Sequence, residues 1–173
     1  PTGIRVGFEP SDAAPESPPG VEVIQQFFSA RAFRELYPRK KASLVTAIAM
    51  FYALESPGMF LGEVAQILAD EGVLCVEMNY ARQMIENNAF DFIVHEHVVM
   101  YFLATLEFVM KQEGLRVFDA SLNAANGGSL RAWVCHRGAS YQRSEAVDRL
   151  LHEEAEARKV SSLEAFGHRV GGN

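Results

Sequence analysis

The sequence has no glycine-rich G-x-G-x-x-G turn, so no obvious motif sets a helix N-terminus against a phosphate. Gly127-Gly128 follows one strand pattern but precedes another, which excludes that role for the pair. No apolar run reaches the roughly 18 residues of a membrane span. The N-terminal stretch is polar and proline-rich and does not read as a signal peptide. Positive charge is scarce: 16 Lys and Arg stand against 22 Asp and Glu, a net charge of -6, which disfavours a nucleic-acid partner. Cysteine is scarce as well. Cys75 and Cys135 both lie in apolar strand-like runs and read as buried thiols in a reducing compartment, with the cytoplasm as default.

What is present is an ordinary globular composition, 49% hydrophobic and 22% charged over 173 residues, enough for one domain with a core. Residues 4–8 alternate as a strand and stop at Glu9-Pro10-Ser11. Residues 12–20, with Pro15, Pro18 and Pro19, read as a loop. A second strand is expected over 21–24, running to Phe27-Phe28, and Ser29 is placed to cap a helix through Tyr37. Residues 44–49 are apolar and β-branched, as in a strand buried on both faces. Ser56-Pro57 opens a helix expected to reach Gly72, and 73–78 forms another buried strand. Helical spacing returns over 103–112 with Gly114 as the stop. Strands over 115–122 and 129–136 flank a turn at 126–128, and a charged helix runs from Ser144 to about Arg158, followed by a frayed tail at 167–173.

This order predicts an α/β fold: a mostly parallel sheet with helices on its faces, ending in an antiparallel hairpin. Ligands in such sheets bind beyond the carboxyl ends of the strands, here Glu9-Pro10, Met50-Phe51-Tyr52 and Asn79-Tyr80. An ionised Glu9 suits a ribose diol, because a carboxylate accepts two O–H bonds; it reads equally as a solvated loop acid. With a strand so near residue 1 and no glycine loop, the first strand and loop of such a sheet are expected upstream.

The densest chemistry lies in ENNAFDFIVHEHVVMY, residues 86–101. His95-Glu96-His97 places two histidines and a carboxylate between apolar flanks, where pKa values shift. On a strand His95 and His97 share a face; the flanks suit an extended run or an irregular loop closing over a pocket. A histidine near pKa 6.5 can act as a base at neutral pH, with Glu96 to orient it. H-x-H also supplies two metal ligands, with a third needed from Glu86, Asp91 or His136, and the plainest reading is a hydrogen-bonded pair in a polar patch. Asn126-Gly127-Gly128-Ser129-Leu130-Arg131 is a hairpin turn or a substrate contact with Arg131 offered to an anion. Tyr80 is an edge aromatic or a site residue.

These residues together resemble the bacterial sugar C-methyltransferases, which use S-adenosylmethionine on nucleotide-linked deoxysugars. The resemblance rests on Glu9-Pro10-Ser11, Phe27-Phe28, Glu71-Gly72-Val73, Glu77-Met78-Asn79-Tyr80, Glu86, Phe90-Asp91, His95-Glu96-His97, Gly114-Leu115, Val117-Phe118-Asp119 and Asn126 to Arg131, in order over residues 6–138. It implies a partial Rossmann-like class I methyltransferase domain over 1–138, with a helical extension over 139–173 beginning a second half. It implies His97 as the base that removes a proton beside a ketone, supported by Glu96 and His95, with no metal. It further implies Glu9 and Pro10 at the cofactor ribose, Phe27 and Phe28 near adenine, and Met50, Phe51 and Tyr52 past the methionine. Tyr80, Asn126, Gly127, Gly128, Ser129 and Arg131 would face the sugar. The chain departs from the pattern at Val94, where the family has tyrosine, and over 98–103, where a tyrosine and a serine helix cap are lost. A non-catalytic fragment or binding module that keeps the sheet is the alternative reading.

Overall fold

In a computed structural model, residues 3–11, 19–160 and 167 are described; most of the expected proline loop and the tail lie outside them. The described chain forms two units, residues 1–40 and 41–173.

In the first unit, β1 (Val6–Phe8) pairs in parallel with β2 (Glu22–Ile24), with Val6 opposite Glu22 and Phe8 opposite Ile24. Both strands are shorter than the alternation suggests. α1 (Ala30–Leu36) begins as expected, because Ser29 is extended and its hydroxyl accepts the Ala32 N–H at 3.1 Å. Phe28 meets the edge of Phe8 with ring centroids 5.3 Å apart, and the Tyr37 hydroxyl donates to Glu22.

The second unit is a four-stranded sheet in the order β3-β4-β6-β5. Its strands are β3 (Ala42–Ile48), β4 (Leu68–Asn79), β5 (Leu115–Asn123) and β6 (Ser129–His136). β3 and β4 are parallel, while β6 runs antiparallel to both β4 and β5. Three strands therefore point one way and β6 alone is reversed, which matches a mostly parallel sheet closed by a hairpin. α2 (Pro57–Ile67), α4 (Leu103–Gln112) and α5 (Glu145–Val160) supply the helical layer. Each buries one stripe: Leu61, Val64 and Ile67; Leu103, Leu106 and Met110; Val147 and Leu150. These meet a sheet face that includes Leu74, Val76, Leu130, Ala132 and Val134, all buried. Fully burying each large aliphatic of this set contributes about 1.5–3 kcal/mol.

Three expectations need correction. The helix opened by Ser56-Pro57 ends at Ile67, not Gly72. Leu68 is already extended and pairs with Ala42 at the start of β4, and the ladder then slips before Leu44 meets Val73. β3 is not buried on both faces. It is the edge strand of this unit, with Leu44 57% and Ile48 49% exposed, because β-branched composition reports strand type better than strand position. Finally, α3 (Ala81–Glu86) stands where no helix was expected.

The slip in β4 depends on Gly72. A Cβ there would stand 2.8 Å from the Ala42 carbonyl oxygen and 2.9 Å from the Ala69 nitrogen, both backbone atoms that cannot swing away. Gly72→Ala is expected to destabilise the fold by about 1–3 kcal/mol, read as a lower urea midpoint; an unchanged midpoint would contradict the close packing.

Candidate active site

β3 and β4 deliver their carboxyl ends to the same side of the sheet. β3 runs into a 3-10 turn, Phe51–Ala53. β4 runs into Tyr80, from which the chain leaves as α3, turns through a second 3-10 segment, Phe90–Phe92, and returns irregularly to Tyr101. Tyr80 and Tyr101 form an isolated parallel bridge, with the Ala81 N–H donating to the Tyr101 carbonyl at 3.0 Å. The excursion 81–100 therefore starts and ends at one point. Met84 and Ile85 inside it pack with Ala89, Phe92 and Met100, and with Phe102 just beyond it, in a small core.

His97 lies on the returning limb. Its Nδ1 is 2.7 Å from the Phe92 carbonyl oxygen. A carbonyl only accepts, so Nδ1 must carry the proton in this contact, and the neutral ring presents its lone pair at Nε2. The ring is half-buried and tilts against Tyr52 with centroids 4.2 Å apart. The limb is tied to the β3 end by the Val99 N–H, which donates to the Tyr52 carbonyl at 3.2 Å. The result is a histidine fixed in one tautomer and one orientation, as a general base requires.

Its two neighbours sit differently. The side chains of His95 and Glu96 are 91% and 74% exposed, with His95 Nε2 3.7 Å from Glu96 Oε1. An exposed pair of this kind holds little in place; the contact that orients His97 is the Phe92 carbonyl, which carries no sequence signature. Among the described residues, no three His, Cys, Asp or Glu side chains converge as a metal site. Cys75 and Cys135 are buried and unpaired with each other, and burial pushes both thiols up, away from the reactive thiolate.

The other expected residues separate by role. Phe51 is fully buried against Phe60 and Tyr101, so it is core, whereas Met50 and Tyr52 remain partly accessible beside it. Tyr80 is 1% exposed and its hydroxyl donates to Glu154 at 2.7 Å. Arg131 binds Glu77, directly opposite it across the β4–β6 ladder. The turn at 126–128 clamps the excursion: the Tyr80 N–H donates to the Gly128 carbonyl at 3.2 Å, and Asn87 Nδ2 donates to the Gly127 carbonyl at 3.4 Å. Ser129 is buried, and its hydroxyl donates back to the Ala125 carbonyl at 2.9 Å. In the first unit, the Glu9 carboxylate accepts the Ser11 N–H at 2.9 Å, which holds its pKa below the usual range and keeps it ionised. Pro10 is exposed beside it. Phe27 is 81% exposed, while Phe28 turns onto Phe8.

Residues 5–120 match the methyltransferase domain family. The chain belongs to that family. It is 32% identical over 136 residues to the C-methyltransferase NovU of Streptomyces niveus, which covers 78% of this chain and 32% of that protein. The chain thus spans about a third of the length of this curated relative. Solved structures share the fold. A SAM-dependent methyltransferase from Anabaena variabilis has TM-score 0.55 and 8% identity, over 76% of this chain and 68% of that one. LepI in complex with SAM gives TM-score 0.59 and 9% identity over 78% and 36%. The plantazolicin methyltransferase BpumL, in complex with an analogue and SAH, gives 0.54 and 14% over 76% and 66%. At such identities the likeness establishes the Rossmann-like class I architecture and nothing about the reaction.

The clamp predicts a sensitive position. Gly128 has φ +133°, and a Cβ there would stand 2.9 Å from Gln83 Cδ and 3.0 Å from Gln83 Cβ. Gly128→Ala combines backbone strain with a clash and is expected to cost about 2–4 kcal/mol, measured by thermal melting. A melting temperature like that of the parent would show that the turn does not hold α3.

Proposed function

We propose that this chain is the catalytic part of an S-adenosylmethionine-dependent C-methyltransferase that methylates a carbon beside a ketone on a nucleotide-linked deoxysugar. The observation that carries the reading is His97, locked with its proton on Nδ1 by the Phe92 carbonyl and with Nε2 left as a base. Similarity to a C-methyltransferase supports the class of bond formed.

The chemistry follows from that base. A hydrogen on the carbon beside a ketone is acidic because the resulting charge spreads onto oxygen. Nε2 of His97 takes this proton, and the enolate carbon becomes the nucleophile. S-adenosylmethionine, when bound, would supply an electrophilic methyl group, the broken sulfur–methyl bond leaving a neutral thioether. Holding base and carbon in register is the protein's main contribution, and positioning of this kind is worth several kcal/mol. The Tyr52 ring and the Phe92 carbonyl prevent His97 from rotating out of line. Glu96 and His95 are exposed on the same limb, and in this reading they contact the substrate instead of supporting the base. Gly127 and Gly128 border the excursion at Asn87, Phe92 and Gln83, and Asn126 meets Asn79 just before it.

The residues present suit the cofactor. Glu9 is an ionised carboxylate at the carboxyl end of β1, with lone pairs free for a ribose diol. Met50 and Tyr52 close the carboxyl end of β3 with apolar and aromatic surface suited to the methionine portion. The free thiols Cys75 and Cys135 fit a reducing compartment, the cytoplasm.

The test uses the full-length protein with a nucleotide-linked keto-deoxysugar in deuterium oxide. The parent should exchange the hydrogen beside the ketone and transfer methyl to that carbon. His97→Gln should slow exchange by about 100-fold or more while cofactor binding by calorimetry stays within twofold. Parent-like turnover in His97→Gln would remove the base from the mechanism. Separately, Glu9→Gln should weaken cofactor binding without lowering the melting temperature; unchanged binding would remove Glu9 from the cofactor site.

A further inference from the structure

α5 carries a charged residue where its apolar stripe should continue. Val147 and Leu150 are buried, and one turn further the buried residue is Glu154, 2% exposed. A buried carboxylate is costly unless its oxygens are satisfied, and these are. Glu154 Oε1 accepts the Tyr80 hydroxyl at 2.7 Å and also the Leu103 N–H, while Oε2 accepts the Ala104 N–H at 3.1 Å. Leu103 and Ala104 are the first residues of α4, whose N-cap, Phe102, has no side chain able to cap it. The serine cap missing from residues 98–103 is thus replaced by a carboxylate from another helix. A negative charge at a helix N-terminus is further favoured by the helix dipole.

These three bonds have a topological consequence. Tyr80 is the last residue before the excursion that carries His97, and Leu103 follows Tyr101 at its close. One carboxylate therefore binds both ends of that excursion. A second tie runs beside it: Arg82 of α3 pairs with Glu153 of α5 at 2.5 Å and with Glu86 at 2.8 Å. Burial and the bond to Glu154 push the Tyr80 phenol well above its usual pKa, so Tyr80 remains a hydrogen-bond donor to the carboxylate.

We propose that Glu154 is a positioning residue for His97: by closing both ends of residues 81–101 it holds the limb on which the base sits. The assignment rests on the reading of His97 given above, but its structural half can be measured without turnover. Tyr80→Phe removes only the entry bond and leaves the α4 cap; Glu154→Ala removes both; Glu154→Gln keeps one acceptor oxygen. Hydrogen exchange read by mass spectrometry on the full-length protein should rise about tenfold or more over 81–101 in Tyr80→Phe, with residues 103–112 unchanged. Glu154→Ala should expose both segments, and Glu154→Gln should restore part of the protection. Long-range proton–nitrogen NMR should show His97 leaving the single Nδ1–H tautomer in Tyr80→Phe and Glu154→Ala. In methyl transfer these variants should lower kcat about tenfold with KM little changed.

If Glu154→Ala fails to fold, Tyr80→Phe decides the matter. Parent-like exchange over 81–101 together with an unchanged His97 tautomer in folded Tyr80→Phe and Glu154→Gln would overturn the proposal. If the parent transfers no methyl group yet exchange and tautomer respond as expected, Glu154 still positions His97, and it is the methyl-transfer reading that falls.

Discussion

The excursion between Tyr80 and Tyr101 has no sheet of its own and hangs on the place where it closes. Its entry and exit are joined by a backbone bridge and by one buried carboxylate, and the Gly128 carbonyl holds the entry. The small core around Met84 and Ile85 gives it shape, while the closure and the Val99–Tyr52 hydrogen bond hold it against the β3 end. The pairing of His97 with Tyr52 and Phe92 depends on that closure. A buried charge is ordinarily a weak way to stabilise a protein. Here it serves alignment, tying α5 to both the end of β4 and the start of α4, which hydrophobic burial alone would leave free to slide.

Much of the fold was legible in the sequence because it is written in local patterns. The 103–112 helix and the 129–136 strand appear with the boundaries their periodicity implies, and Ser29 caps α1 as its position suggests. Where the sequence misleads, a non-local contact decides. Residues 68–72 continue a helical spacing from Phe60, yet pairing with Ala42 draws them into β4. The β-branched run in β3 describes a strand well enough, but the number of neighbours a strand has is a property of the sheet.

The site shows the same division. The cluster at 95–97 was visible as chemistry, and His97 could be singled out by resemblance, but what orients it could not. The orienting group is a backbone carbonyl five residues earlier, and every residue has one. Glu96, the adjacent carboxylate that proximity in sequence favours, points to solvent. Glu154 was hidden for the opposite reason. It sits in a charged helix where acids are expected on the surface, and only the absence of a local cap before Leu103 hinted that an acceptor must come from elsewhere.

The insertion of β6 between β4 and β5 bears on the order in which the molecule assembles. The β5–β6 hairpin closes over a short turn, whereas the bonds from α5 that help fix the excursion span 50 to 74 residues. Loop-closure entropy makes such contacts the slow ones. The hairpin must already lie against β4 before Gly128 can meet Tyr80, and α5 must dock before Glu154 can reach α4. The segment that carries His97 is therefore expected to be the last part of this unit to find its place, although it lies in the middle of the chain.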